Sequence, residues 1–172
     1  MPTPDVDVVA MVEVLLRHKV EFVVIGGFAV ELYDVAVPPT RDVDITPARD
    51  PDNITRLMNA LIELEAKLRV PGGPEAGLEI PGGITVEWLG SMVTATFVTS
   101  AGPLDVSFIP DGTTGYEDLV RGREVVSFRD HSLPVASLGD VIRSKEAAGR
   151  EKDLLVLPAL REHLRRTTRQ AI

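Results

Sequence analysis

The segment from Glu21 to Ile45, EFVVIGGFAVELYDVAVPPTRDVDI, restricts the fold more than any other part of the chain. EFVVI is β-branched and aromatic and predicts a strand. Gly26-Gly27 ends that strand, and FAVELYDVA predicts a helix. Pro38-Pro39 stops the helix, so a new extended segment starts near Arg41. Within it, RDVDI alternates charged and apolar residues. On a strand, side chains two apart share a face, so Asp42 and Asp44 stand side by side while Val43 and Ile45 turn to a core. Two adjacent carboxylates repel each other, and without a countercharge one of them takes up a proton. A divalent cation removes that conflict, and an oxygen-rich carboxylate site suits Mg²⁺ or Mn²⁺. Many exposed strand faces carry an alternating D-x-D, so its meaning depends on what surrounds it.

The rest of the chain predicts an α/β (α+β) fold, a small mixed sheet flanked by helices. Val8, Val12, Leu15 and Leu16 have helical spacing over about 5–18, and Ile54, Leu57, Met58, Leu61 and Ile62 mark the buried face of a helix started by ARDPDNIT. The Gly- and Pro-rich VPGGPEAGLEIPGG reads as loop, and ITVEWLG, TATFVTS and LDVSFI read as short strands. GYEDLVRG predicts a short helix, and EVVSF and SLPVA flank RDH as a hairpin or two short strands. Residues 138–166 read as helix, broken at Gly149 and near Pro158. With 172 residues, no repeats and no linker, the chain is expected to be one domain, 1–172, in which about 137–172 form a helical C-terminal extension. The absence of cysteine excludes disulfides and thiolate chemistry. No apolar run approaches the roughly 20 residues of a membrane helix, and MPTPDVDVVA has no basic stretch ahead of an apolar one. A cytoplasmic protein without membrane contact is therefore expected.

Three further features give the aspartate pair its weight. The strand, Gly-Gly turn and helix place flexible backbone and a helix start where phosphate is favoured. Asp105 sits among apolar neighbours in PLDVSFI, placed to be a third ligand or a base if its strand lies beside the first. SLGDVIRSKEAAGREKDLLVL carries Lys145 and Arg150 late in the chain, followed by Lys152-Asp153. In this order, over roughly residues 20–160, the chain resembles the minimal nucleotidyltransferases of the DNA polymerase beta superfamily. It is most similar to the branch containing the AbiEii toxins of bacterial toxin–antitoxin systems. It departs from them at Pro38, where such sequences often carry an arginine, while Thr40 keeps the threonine two residues ahead of Asp42.

The resemblance implies a nucleotidyltransferase-like fold and transfer of a nucleotidyl group from a nucleoside triphosphate (NTP) to an acceptor hydroxyl. Asp42, Asp44 and Asp105 would hold Mg²⁺ or Mn²⁺, Asp105 also serving as a base. Gly26, Gly27, Thr40, Arg41 and Lys145 would bind the nucleotide, and Asp153 would orient Lys145 or touch the acceptor. It also implies tRNA as acceptor and a cognate antitoxin or toxin as partner. A small molecule such as an aminoglycoside, or a protein hydroxyl, is the alternative acceptor; a non-catalytic antitoxin or regulatory module is the alternative class. The net charge of −8 opposes general nucleic-acid binding, yet Arg161, Arg165 and Arg169, with Arg166 beside them, form a helical stripe able to meet phosphates.

Overall fold

The computed structural model describes residues 7–172. Its elements run α1 (Val8–Arg17), β1 (Phe22–Ile25), α2 (Gly26–Leu32), β2 (Val43–Pro47), α3 (Pro51–Glu63), β3 (Lys67–Leu68), α4 (Val86–Ser91), β4 (Thr94–Thr99), β5 (Gly102–Ser107), α5 (Tyr116–Arg121), β6 (Glu124–Phe128), β7 (His131–Val135), α6 (Leu138–Ala148) and α7 (Glu151–Gln170). The strands form one mixed sheet in the order β3-β4-β5-β2-β1-β7-β6. Two parallel pairings, β2 with β5 and β1 with β7, lie among antiparallel neighbours. The expected mixed α/β architecture with a helical C-terminal part is what the chain adopts.

The central strands explain the alternation in the sequence. Val43, Ile45, Leu104 and Val106 are at most 1% exposed and point into the core, while Asp44 and Asp105 between them face the other way and stay half-buried. The buried apolar residues form one cluster extending from Met11 on α1 to Leu160 on α7. Its stabilisation comes from apolar surface withdrawn from water, about 1.5–3 kcal/mol per fully buried large side chain.

Several local expectations are corrected. ITVEWLG contains a helix, α4, because the Thr85 hydroxyl caps it by accepting from the Trp88 N–H at 3.1 Å and Leu89 is driven inward. The capped turn outweighs the β-branched composition. Helix α2 starts on the two glycines and ends at Leu32, so Tyr33 to Ala36 lie beyond it. On α3, Ile54, Leu57 and Leu61 are buried, but Ile62 is 55% exposed at the helix edge and Met58 is half-buried. Helix α7 continues through Pro158 to Gln170. The proline forgoes one hydrogen bond to exposed Leu154, and burial of Leu157 and Leu160 on the opposite side holds the helix. The break at Gly149 is present, with φ +62°. The two-residue strand β3 has no counterpart in the sequence reading. The expected start of α1 at residue 5 lies outside the described residues.

Asn53 fastens α3 to the sheet. It is fully buried; its Oδ1 accepts from the Glu21 N–H at 2.8 Å, and its amide donates to the carbonyls of Glu21 at 2.9 Å and Ala48 at 2.7 Å. Asn53→Ala would leave these backbone groups without partners, each costing about 1–3 kcal/mol if water does not reach it. The expected outcome is a loss of about 2–4 kcal/mol in urea unfolding; an unchanged midpoint would show that α3 is anchored by its apolar face alone.

Candidate active site

One row of residues crosses the sheet. Asp44 of β2 is in register with Asp105 of β5, and Asp105 is opposite Thr96 of β4. The row continues to Arg69, immediately after β3, whose N–H donates to the Thr96 carbonyl at 2.8 Å. At the other end, Ile25 pairs with Asp44, and Gly26 follows at the start of α2. Four strand pairings thus bring together residues far apart in the chain.

Asp42 departs from the expected arrangement. It lies in a bend just ahead of β2, so the aspartates do not share one strand. Thr40 sets the bend: its hydroxyl donates to the Asp42 carbonyl at 3.1 Å and accepts from the Asp42 N–H at 3.3 Å, and its own N–H donates to Glu31. Asp42 nonetheless reaches the row. The Arg69 Nη2 atom is 3.7 Å from Asp42 Oδ2 and also 3.7 Å from Asp105 Oδ1.

Gly26 and Gly27 have a packing reason to be glycines. Gly26 has φ +66°, and a Cβ there would lie 2.8 Å from the Asp44 Cγ. A Cβ on Gly27 would lie 2.9 Å from the Cβ of Thr40. The glycine pair therefore gives the Asp44 carboxylate and the Thr40 side chain their space, and leaves bare backbone beside the carboxylates.

Lys145 and Asp153, expected together, are together. Asp153, 1% exposed in the first turn of α7, receives the Arg150 Nε at 2.6 Å and the Lys145 Nζ at 3.3 Å. Burial alone would raise the Asp153 pKa, but the hydrogen bond from Arg150 and the charge of Lys145 outweigh it and hold the carboxyl below its ordinary value. Arg41 is exposed and makes no ion pair with the carboxylates among the described residues. Arg69 and Thr96 belong to the site, although no sequence motif marked them.

The electrostatics are those of crowded carboxylates. Burial first, then the charges of Asp105 and Asp42, push the Asp44 pKa up to about 7, with Lys145 and Lys152 pulling the other way. Burial and Asp42 likewise raise Asp105, against Arg69, Thr96 and Lys152. The Oδ1 atom of Asp105 is buried and has no hydrogen-bond partner. A buried carboxylate oxygen in that condition, next to two more carboxylates, fits a cation that arrives with a ligand. Among the described residues no three acidic or histidine side chains are close enough to form a complete cage for an ion.

Two glutamates face the four arginines of the α7 stripe, leaving about half of its charge uncompensated. Arg161 pairs with Glu146 at 2.5 Å, while Arg165 and Arg166 both pair with Glu162, at 2.7 and 2.9 Å. The stripe also runs away from the site: at 1.5 Å per residue, Arg169 lies roughly 26 Å along the helix from Lys152.

No protein-family model matches the sequence, and no curated protein matches it. Solved structures do match. The lincosamide antibiotic adenylyltransferase LnuA, in a lincomycin-bound crystal structure, superimposes with a TM-score of 0.60 at 15% identity, over 90% of this chain and 94% of that one. A Thermotoga maritima protein provisionally assigned as a nucleotidyltransferase matches with a TM-score of 0.53 at 19% identity, over 87% of this chain and 86% of that one. The fold is therefore nucleotidyltransferase-like.

A raised carboxyl pKa ties stability to pH. The folded chain binds the Asp44 proton more tightly than the unfolded chain does. Its favourable contribution is therefore complete below about pH 4 and is lost as pH rises through about 7. In metal-free buffer, Asp44→Asn removes this dependence. The melting temperature of Asp44→Asn is expected to gain on the parent steadily between pH 4 and pH 7.5, and a constant difference would mean that Asp44 titrates normally.

Proposed function

We propose that this protein is a metal-dependent nucleotidyltransferase that moves a nucleoside monophosphate from an NTP to an acceptor hydroxyl. The observation carrying this reading is the Asp44–Asp105 register pair, with an unpartnered buried oxygen, set between bare glycine backbone and a cluster of cations. Asp42, Asp44 and Asp105 would hold Mg²⁺ or Mn²⁺. Once bound, the metal lowers the pKa of the attacking hydroxyl and neutralises the charge of departing pyrophosphate.

The chain's own groups divide the remaining work. The triphosphate lies against Gly26 and Gly27, beside Thr40 and Arg41, and the ammonium of Lys145 is steadied by Asp153 to meet its phosphates. The acceptor oxygen attacks the α-phosphorus, the bond to the β-phosphate oxygen breaks, and pyrophosphate leaves. Asp105, whose pKa is raised by burial, takes the hydroxyl proton.

The acceptor we favour is a small molecule. Three of the four stripe arginines already pair with glutamates, and the chain is acidic overall, so a surface for tRNA is poorly provided. The similarity to an enzyme that adenylylates lincosamides extends over nearly the whole length of both chains. The AbiEii-like reading, a toxin with tRNA as acceptor and a cognate antitoxin, rests on the sequence motifs alone.

Incubation with each α-labelled NTP, a panel of lincosamides and aminoglycosides, and total RNA tests both levels. Label is expected on a small hydroxyl compound. Labelled RNA with no labelled small molecule would replace the acceptor proposal by the tRNA one, and no transfer to any acceptor would overturn the enzyme reading. Asp105→Asn and Lys145→Ala are expected to keep their melting temperatures within a few degrees of the parent while transfer falls at least about tenfold, ~1.4 kcal/mol in barrier. Full activity in either variant would remove that residue from the site.

A further inference from the structure

Arg69 is not part of any motif in the sequence, yet it occupies a distinctive place. One nitrogen, Nη2, is equidistant from Asp42 and Asp105, at 3.7 Å from each. Both distances exceed hydrogen-bond reach, so the guanidinium meets these two carboxylates by charge alone. An arginine that served only to hold the fold would be expected to satisfy its five donors on carbonyls or carboxylates in close, forked geometry. This one is 39% exposed and attached to the sheet only by its backbone, through Thr96. The Asp105 Oδ1 it faces remains without a hydrogen bond. Toward the two carboxylates it acts through charge, and its donors stay open to solvent or to a ligand.

We propose that Arg69 is a placeholder cation. In the nucleotide-free protein it fills the space between Asp42 and Asp105, and it leaves that space for the phosphates when an NTP arrives, so that divalent-metal binding is coupled to nucleotide binding. The inference rests on the proposed reading of the site as one for a triphosphate and a divalent ion. Guanidinium suits the task because it is permanently charged, weakly hydrated and shaped to grip phosphate with two parallel hydrogen bonds. Held to the carboxylates by charge alone, it has more to gain from phosphate oxygens than it loses in leaving. While in place it competes with a metal ion for the same two carboxylates. The coupling is reciprocal: whatever factor the nucleotide adds to metal affinity, the metal adds to nucleotide affinity.

The test is Mn²⁺ binding to the whole protein, read from the paramagnetic resonance of free Mn²⁺, with and without a non-hydrolysable ATP analogue. Parent, Arg69→Gln and Arg69→Lys are compared, with melting temperatures recorded for each. Without nucleotide, Arg69→Gln is expected to bind Mn²⁺ about tenfold tighter than the parent, because the competing charge is gone. With the analogue present that advantage should vanish or reverse, because a phosphate partner is gone too. Arg69→Lys restores the charge and is expected to restore most of the parent's dependence on nucleotide. Equal Mn²⁺ affinity of parent and Arg69→Gln without nucleotide would overturn the proposal. So would an equal gain in both conditions, which is the mark of a distant charge that does not move. If the parent takes up no Mn²⁺ even with the analogue, the reading of the site itself falls. If the parent does take up Mn²⁺ with the analogue and Arg69→Gln shows the same nucleotide dependence, only the role of Arg69 falls.

Discussion

The register between β2 and β5 places two carboxylates side by side, and much of the rest of the structure accommodates that choice. Two unit charges 4 Å apart cost about 4 kcal/mol at an effective dielectric constant of 20. The same register buries Val43 against Leu104 and Ile45 against Val106, each side chain contributing about 1.5–3 kcal/mol. The apolar face therefore outweighs the polar one. A slip of β2 by one residue would relieve the repulsion but turn Val43 and Ile45 out of the core, so the register holds.

The same hydrophobic logic made part of the site legible in the sequence. Asp44 and Asp105 stand out because each interrupts a run of core residues, and the glycine pair stands out because it separates a strand from a helix. Lys145 and Asp153 were singled out only through the family resemblance, which left Asp153 to orient Lys145 or to touch the acceptor; the ion pair between them is set by the packing of α6 on α7. Arg69 and Thr96 were invisible for a different reason. Their place in the row depends on which strands are neighbours and in what register, and that is settled by the fold as a whole. Arg69 follows a strand of only two residues, too short to leave any periodicity. The misreading of ITVEWLG is local: β-branched composition favours a strand there, but a single threonine cap and one buried leucine decide for a helix. Pro158 misleads in the opposite direction, since a stop signal on an exposed helix face is overridden by burial on the other.

Gly26 connects the fold to the chemistry in another way. Its lack of a side chain is usually read as freedom for a ligand to approach backbone. Here the first group to use that space is the Asp44 carboxylate itself. Any side chain at 26 would also meet a backbone conformation that L-residues resist. The carboxylate is thereby packed closely against backbone and shielded from water, and burial heads the causes of its raised pKa. A group poised near neutrality in this way releases its proton readily when a stronger cation than the surrounding lysines comes within reach.

Charge balance then bears on what the site can accept. Asp42, Asp44 and Asp105 are faced by Arg69, Lys145 and Lys152, while Asp153 is compensated separately by Arg150. In the absence of any ligand the cluster is close to neutral, which is how three carboxylates can share one end of a sheet in a folded protein. A triphosphate alone would upset that balance by several negative charges, and metal ions alone would upset it in the other direction. Arriving together, they leave it nearly unchanged. An acidic protein has no general attraction for a polyanion, so under the proposed function a nucleotide would be recognised by this local compensation, not by the field of the whole molecule. The same argument weighs against RNA as acceptor, because a strand of phosphates would have to be held beyond the site by a stripe in which three of four arginines already face glutamates. A compact, neutral or cationic hydroxyl compound meets no such obstacle, and for it the acidic surface is an advantage.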